Sequence, residues 1–301
     1  MKKRILFLIL LGVASMAQAQ NVEFVADWHP GDVFKYDVTK IVQKGLVVDT
    51  LHYSMVMTVA DSTDEGYKIK MVYNGLYDNP ILDSLMGGKL SPKDYETLQT
   101  VYYSTTDVGE VIGIDSADIL IQSILKYSQA LLLATGNDDD EVMSILKSLY
   151  TKEYILSGVY TEIPMLHNAL GYVWPLNKPV KGKTKVENNL SGGYIDAMTY
   201  QTIEEFDPES QFCRLRITTK FNNKQLQKLV AKFMSSLGLS SKEMKEYRLS
   251  MVDEGVYEYI ANPGIPVHVD CTRGKMVSSK TESSGQMERF VITLVEPEVE
   301  R

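Results

Sequence analysis

Between Leu51 and Val59 every second residue is apolar: Leu51, Tyr53, Met55, Met57 and Val59, with His52, Ser54 and Thr58 among the residues between them. A side-chain period of two is the mark of a strand with one buried and one wetted face, and an amphipathic helix over the same span would need a period near 3.6. The neighbours repeat the pattern. Phe34, Tyr36 and Val38 alternate before it. Tyr67, Ile69, Met71 and Tyr73 alternate after it, across an Asp64-Glu65-Gly66 turn signal. Three such strands in succession predict an antiparallel meander with one apolar face.

Helical signals follow. Ser91-Pro92 opens a short helix to Leu98, with proline at its first position. Val101 to Ile114 reads as a hairpin turning at Asp107-Val108-Gly109. Asp115 to Asp118 caps a helix carrying Ile121, Ile124, Leu125, Leu131 and Leu132, ended by Gly136. Asp138 to Glu141 opens another, with Val142, Ile145, Leu146 and Leu149 at helical spacing, and Pro164 starts a short one ending near Leu170. Strands resume over 186–190, 194–205 and 212–221. Leu226, Leu229, Val230, Phe233 and Leu237 mark a helix closed by Gly238, and Ser240 with Glu243 fits a capping box for one more. Val267 to Val277 reads as a second hairpin, Met287 to Val295 as the last strand, and Pro297 as the start of a polar tail.

The expected fold is α+β: a curved, mostly antiparallel, half-barrel-like sheet partly covered by helices. The hairpins at 103–110 and 270–275 share Thr and Gly near their turns. They suggest a degenerate two-fold repeat of about 20–175 and 176–301 within a single domain 20–301, with a soft boundary near Pro175 to Pro179.

The chain opens Met1-Lys2-Lys3-Arg4, continues with an apolar run from Ile5 to Val13 and reaches Ala17-Gln18-Ala19. That is the pattern of a secretory signal peptide over 1–19, cleaved before Gln20. Its removal takes three cations and moves the formal charge from −8 to −11. So acidic a chain repels nucleic acid and anionic surfaces at long range, and no nucleic-acid partner is expected. No later apolar run reaches the roughly 18 residues of a spanning helix; the longest, Ile119 to Leu133, is interrupted by Gln122, Ser123, Lys126, Ser128 and Gln129. No Cys follows the signal to carry a lipid, and helices interrupt the strand series that an outer-membrane barrel would need. The expected location is the periplasm or the exterior, as a soluble protein without a transmembrane anchor.

Chemistry-bearing motifs are scarce. Cys213 and Cys271 each fall on the apolar face of an expected strand; in an oxidising compartment they either pair as a disulfide or remain two buried thiols. The acidic run Asn137 to Glu141 lacks the alternating ligands and central Gly of a calcium loop, and acids at a helix start are favoured by the helix dipole. His29, His52, His167 and His268 are scattered. No nucleophile elbow, phosphate loop or zinc motif is present, so no catalytic residue, metal ligand or cofactor is assigned. The methionines and tyrosines are more suggestive. Tyr53, Met55, Met57, Tyr67, Met71 and Tyr73 share expected inner faces, where soft Met and amphipathic Tyr suit either an apolar ligand cavity or an ordinary core. Trp28 to Asp32 and Gly171 to Pro175 are aromatic loops that either grip a ligand or plug the sheet ends.

The opening Trp28-His29-Pro30-Gly31-Asp32-Val33-Phe34-Lys35-Tyr36, the Asp64-Glu65-Gly66-Tyr67 turn and the Tyr103-to-Gly109 hairpin before a long helix, together with the signal, resemble uncharacterised secreted proteins of Bacteroidota. The strand–helix order is also similar to lipid-handling half-barrels of the LolA and LppX kind. The first resemblance implies glycosylation at Asp-Ser/Thr triplets: Asp49-Thr50-Leu51, Asp83-Ser84-Leu85, Asp115-Ser116-Ala117 and, in a turn, Asp61-Ser62-Thr63, with Ser62 the acceptor. The leading functional expectation is non-enzymatic binding of an apolar small molecule or lipid. The alternatives are a protein-interaction or envelope-scaffold module, and a hydrolase with dispersed catalytic residues.

Overall fold

The computed structural model describes residues 21–77, 90–136, 140–176, 178–187, 194–236, 248–278 and 283–298. In chain order its strands are β1 (Asn21–Glu23), β2 (Val33–Lys44), β3 (Val47–Thr63), β4 (Gly66–Asn74), β5 (Thr100–Thr105), β6 (Val111–Ile114), β7 (Val173–Pro175), β8 (Val180–Glu187), β9 (Tyr194–Asp207), β10 (Phe212–Phe221), β11 (Arg248–Ile260), β12 (Ile265–Ser278) and β13 (Ser283–Glu298). The helices are α1 (Pro92–Gln99), α2 (Ala117–Ala134), α3 (Asp140–Leu149), α4 (Lys152–Tyr154) running into a π-helical turn at Ile155–Val159, α5 (Glu162–Leu166) and α6 (Asn223–Ser236).

Eleven strands form one curved antiparallel sheet in the order β6-β5-β4-β3-β2-β13-β12-β11-β10-β9-β8. Each half of the chain is a meander, and the two meanders join where β13 pairs with β2, Ile292 opposite Val38. Bulges at Val59/Asp61, Arg214/Leu215, Glu258/Tyr259 and Leu294/Glu296 interrupt the ladders. Each adds local twist and helps the sheet curl. β1 and β7 pair separately, with Val22 opposite Trp174.

The inner face is covered by the excursion between β6 and β8. Along α5 and the turn after it, Ile163, Met165, Leu166, Ala169 and Leu170 are buried against Phe34, Tyr36, Met55, Met57, Met71, Val269 and Ile292 of the sheet. α1 begins as expected, with Ser91 and Asp94 forming a reciprocal capping box and Pro92 at its first position. The helix read as starting at Pro164 instead begins at Glu162. A second, smaller cluster sits under α6: Ile195, Leu226 and Leu249 are buried, with Phe221, Leu229, Met251 and Val277 packed around them.

Three readings need correction. The expected hairpin over 267–277 is a single strand, β12, and its partner β11 was not anticipated. Gly274 is no turn residue. It runs at φ +149 in mid-strand, where a Cβ would stand 2.3 Å from the Gln286 carbonyl oxygen of β13. Of these two segments, only 103–110 is therefore a hairpin. Of the strand expected at 186–190, Val186 and Glu187 end β8, which starts at Val180, and 188–190 lie outside the described residues; β13 continues through Pro297, which pairs with Phe34. The signal segment, the Asp83 triplet and the capping box at Ser240 lie outside the described residues.

Candidate functional site

The registers align the inner face into rows that cross the strands. One row reads Tyr53, Val38, Ile292, Val269, Tyr257 and Leu215 across β3, β2, β13, β12, β11 and β10, and every member is buried. Two residues further along the strands the row becomes Leu51, Lys40, Phe290, Cys271 and Gly255; the next is Asp49, Val42, Glu288, Arg273 and Asp253. In the first of these rows Phe290 and Cys271 are still buried, and the cover ends toward β3. Leu51 is 47% exposed, and at the β2–β3 tip Val47 and Leu46 are 61% and 92% exposed. The β3 ladder thus runs out from under α5 into the open, with Asp49 between Leu51 and Val47.

A charged belt marks this border. Glu288 pairs with Lys40 at 3.2 Å and Arg273 at 3.5 Å, and both cations lie over the Phe290 ring, 4.8 and 5.4 Å from its centroid. Burial pushes the Glu288 carboxyl up, and the two cations outweigh it and hold it below the ordinary value. Thr219 continues the belt by donating its hydroxyl to Asp253 at 3.0 Å.

Behind the belt lies a polar seam within the core. Glu162, on α5, is buried, and Tyr53 donates its hydroxyl to Oε1 of that carboxyl. Burial raises the Glu162 pKa against the opposing pull of the Tyr53 hydrogen bond and of the Lys40 and Arg273 charges. Oε2 of Glu162 and the hydroxyls of Thr161 and Tyr73 have no hydrogen-bond partner among the described residues. Tyr160 packs on Tyr73 at 5.2 Å between ring centroids and donates to the Leu98 carbonyl at 2.8 Å. His167 bridges Tyr103, 2.9 Å from Nε2, and the Gly109 carbonyl, 2.7 Å from Nδ1. A carbonyl can only accept, so Nδ1 carries a proton, and with the cationic form disfavoured by burial the ring is neutral at neutral pH and Nε2 accepts from the Tyr103 hydroxyl. Burial holds its pKa near 4.

The six expected lining residues are brought together, but as core. Tyr53, Met55, Met57, Met71 and Tyr73 are buried under the helical excursion. Tyr67 is half-buried and donates its hydroxyl to the Ala26 carbonyl at 3.1 Å. Both aromatic loops plug the fold. Trp28 packs between Tyr67, Phe34 and His167, and Trp174 is buried in β7. Cys213 and Cys271 are free, buried thiols. β11 lies between their strands, and they face Tyr259 and Gly255, four residues apart along it. The separation across two ladder spacings alone is about 10 Å, beyond the ~7 Å reach of a disulfide. Burial pushes both thiols up to about 12. Ser62 lies at the end of β3 opposite Tyr67, half-buried, and its amide donates to the Asp61 carboxylate.

Among the described residues, His29, His52, His167 and His268 do not meet, and no group of three His, Cys, Asp or Glu is arranged to hold a metal ion. Nor is any described helix long and apolar enough to cross a membrane. Glu162, the belt residues Lys40, Arg273 and Glu288, and the bridging role of His167 were not anticipated. The one signal for Glu162 was its place as a lone acid in the run Tyr160-Thr161-Glu162-Ile163-Pro164-Met165-Leu166.

No protein-family model matches this chain, and no curated protein does. Among solved structures, one described as lipid–protein interactions in lipovitellin is similar over 91% of this chain and 26% of its own, at 10% identity and a TM-score of 0.41. The chain therefore spans about a quarter of that protein's length.

Proposed function

We propose that this is an exported protein that binds an apolar or amphiphilic ligand on the inner face of its sheet, in the strip between the α5 cover and α6. The observation that carries the reading is the β3 ladder. Its apolar side chains are sealed at Tyr53, Met55 and Met57 and uncovered at Leu51 and Val47. Leu51 continues the core surface directly, Asp49 separates it from Val47, and exposed apolar surface interleaved with and bordered by charge is the composition of an amphiphile site. The ligand's chain lies along Leu51, Val42 and Val47, and its polar end meets Lys40 and Arg273. The six Met and Tyr residues first considered form the floor behind this strip. The leader-like pattern of residues 1–19 and the resemblance to secreted Bacteroidota proteins support export, and the likeness to LolA-type half-barrels belongs to the same reading.

Native purification, organic extraction and mass spectrometry test it. A co-purifying lipid or other apolar molecule is expected. An empty extract, together with no binding of a fluorescent fatty-acid probe, would overturn it. One observation favours a second reading, a protein-interaction module: on α3, Ile145 and Leu149 are 52% and 45% exposed. Cross-linking in the native envelope should then trap a defined partner at that helix, and an uncross-linked monomer would count against it.

A further inference from the structure

The chain carries a formal charge of −8, yet residues 178–232 hold ten Lys and Arg against six Asp and Glu. The imbalance concentrates at one edge of the sheet. Lys181, Lys183 and Lys185 alternate along β8, the outermost strand, at about 7 Å intervals. Lys183 and Lys220 flank Met198 from the two strands on either side of β9. Lys181 and Lys220 approach the Tyr200 ring at 5.6 and 5.0 Å from its centroid. All four lysines are exposed, and no ion pair among the described residues involves them. By contrast, Arg214 and Arg216 on the neighbouring stretch of β10 are matched by Glu205, Glu258 and Glu204.

Lysines on an edge strand discourage pairing with another sheet, which accounts for β8. It does not account for Lys220, which lies two strands in. Lys183, Lys185 and Lys220 line one recess of about 620 Å³, together with Ala197, Met198 and Phe221. The acid in that recess, Asp196, is held by Gln225, whose side-chain amide donates to it at 2.7 Å. Three lysine side chains therefore line a recess whose single carboxylate is already hydrogen-bonded. At physiological ionic strength the screening length is about 8 Å. The acids elsewhere on the molecule are screened from this site, while its own lysines act together.

We propose that this recess binds a phosphate group. Two sources share that chemistry, an anionic phospholipid headgroup and free inorganic phosphate, and the experiment separates them. The full chain is titrated calorimetrically, at matched ionic strength, with monomeric dihexanoyl-phosphatidylglycerol and separately with inorganic phosphate. The same titrations are run on K183Q/K185Q/K220Q and on the charge-preserving K183R/K185R/K220R. Saturable binding by the wild type and the arginine variant is expected. The glutamine variant should lose roughly fivefold per lysine, on the order of 100-fold in all. Tighter binding of the lipid than of phosphate identifies the headgroup as the source, and equal binding identifies free phosphate. The proposal is overturned if neither ligand binds the wild type, or if the glutamine variant, with an unchanged melting temperature, titrates as the wild type does.

Discussion

His167 makes the stability of this fold depend on pH in a direction the geometry dictates. The ring is neutral and buried between Tyr103 and Gly109, with its pKa near 4 against an ordinary 6.5. A folded-state pKa below the unfolded value stabilises the fold fully above pH 6.5, and that stability drains away as pH falls through 4. At about 1.36 kcal/mol per pKa unit, the loss by about pH 4 is ~3 kcal/mol, a large part of the roughly 5–15 kcal/mol that holds a domain folded. Glu162 works in the opposite sense. Its pKa is raised, so its contribution is greatest below the ordinary carboxyl pKa and is lost as pH rises through the folded value. A wild-type pH curve mixes the two, and the variant His167→Gln separates them, because Gln does not titrate. Urea unfolding followed by tryptophan fluorescence is the assay, since the Trp28 ring lies 5.7 Å edge-on from His167. The stability gap between wild type and variant should narrow by about 3 kcal/mol between about pH 7 and about pH 4. A gap that stays constant to within about 0.5 kcal/mol would refute a neutral, buried His167.

Other outcomes follow from the same contacts. Glu162→Gln removes a carboxylate that burial makes costly to ionise, so the variant should unfold at higher urea than wild type in neutral buffer and lose that advantage in acid; no difference at neutral pH would contradict the raised pKa. Met71→Ala, at a fully buried site, should cost about 2–5 kcal/mol in urea unfolding. The double variant Leu51→Ser/Val47→Ser, at exposed positions, should cost less than about 1 kcal/mol by the same measurement. Both thiols should stay unreactive to a thiol reagent until the protein is denatured and should count as two free groups in non-reducing denaturant, since both are buried and unpaired.

What could be read from the sequence depended on whether the inner face stayed apolar. Over Phe34 to Val38, Leu51 to Val59 and Tyr67 to Tyr73 it does, and that alternation located β2, β3 and β4, although the same face carries Lys40 and Asp49 further along β2 and β3. Along β11 the inner-facing series is Leu249, Met251, Asp253, Gly255 and Tyr257. Asp253 belongs to the charged belt, and Gly255 is required because a Cβ there would meet that of Cys271 at 2.8 Å. The belt that borders the candidate site thus hid the strand that carries it. Arg273 and Gly274 misled in the same way. An inward-facing cation beside a glycine looks like a turn, but in the fold Arg273 reaches Glu288 and Gly274 makes room for β13. The Met and Tyr face was legible as a face; its cover was not. Glu162 stands 109 residues from the Tyr53 hydroxyl it accepts, and no local pattern reports a contact of that span.

The central claim, that the uncovered end of the β3 ladder holds an apolar ligand, is tested most directly by titrating a fluorescent fatty acid into delipidated protein. The wild type is compared with Leu51→Ser/Val47→Ser, and both are checked for equal stability. Saturable binding by the wild type, weakened at least tenfold in the double variant, is the expected result, since each exposed apolar side chain covered by ligand contributes about 1 kcal/mol or more. Equal affinity in the two proteins, or no binding to either, would contradict it.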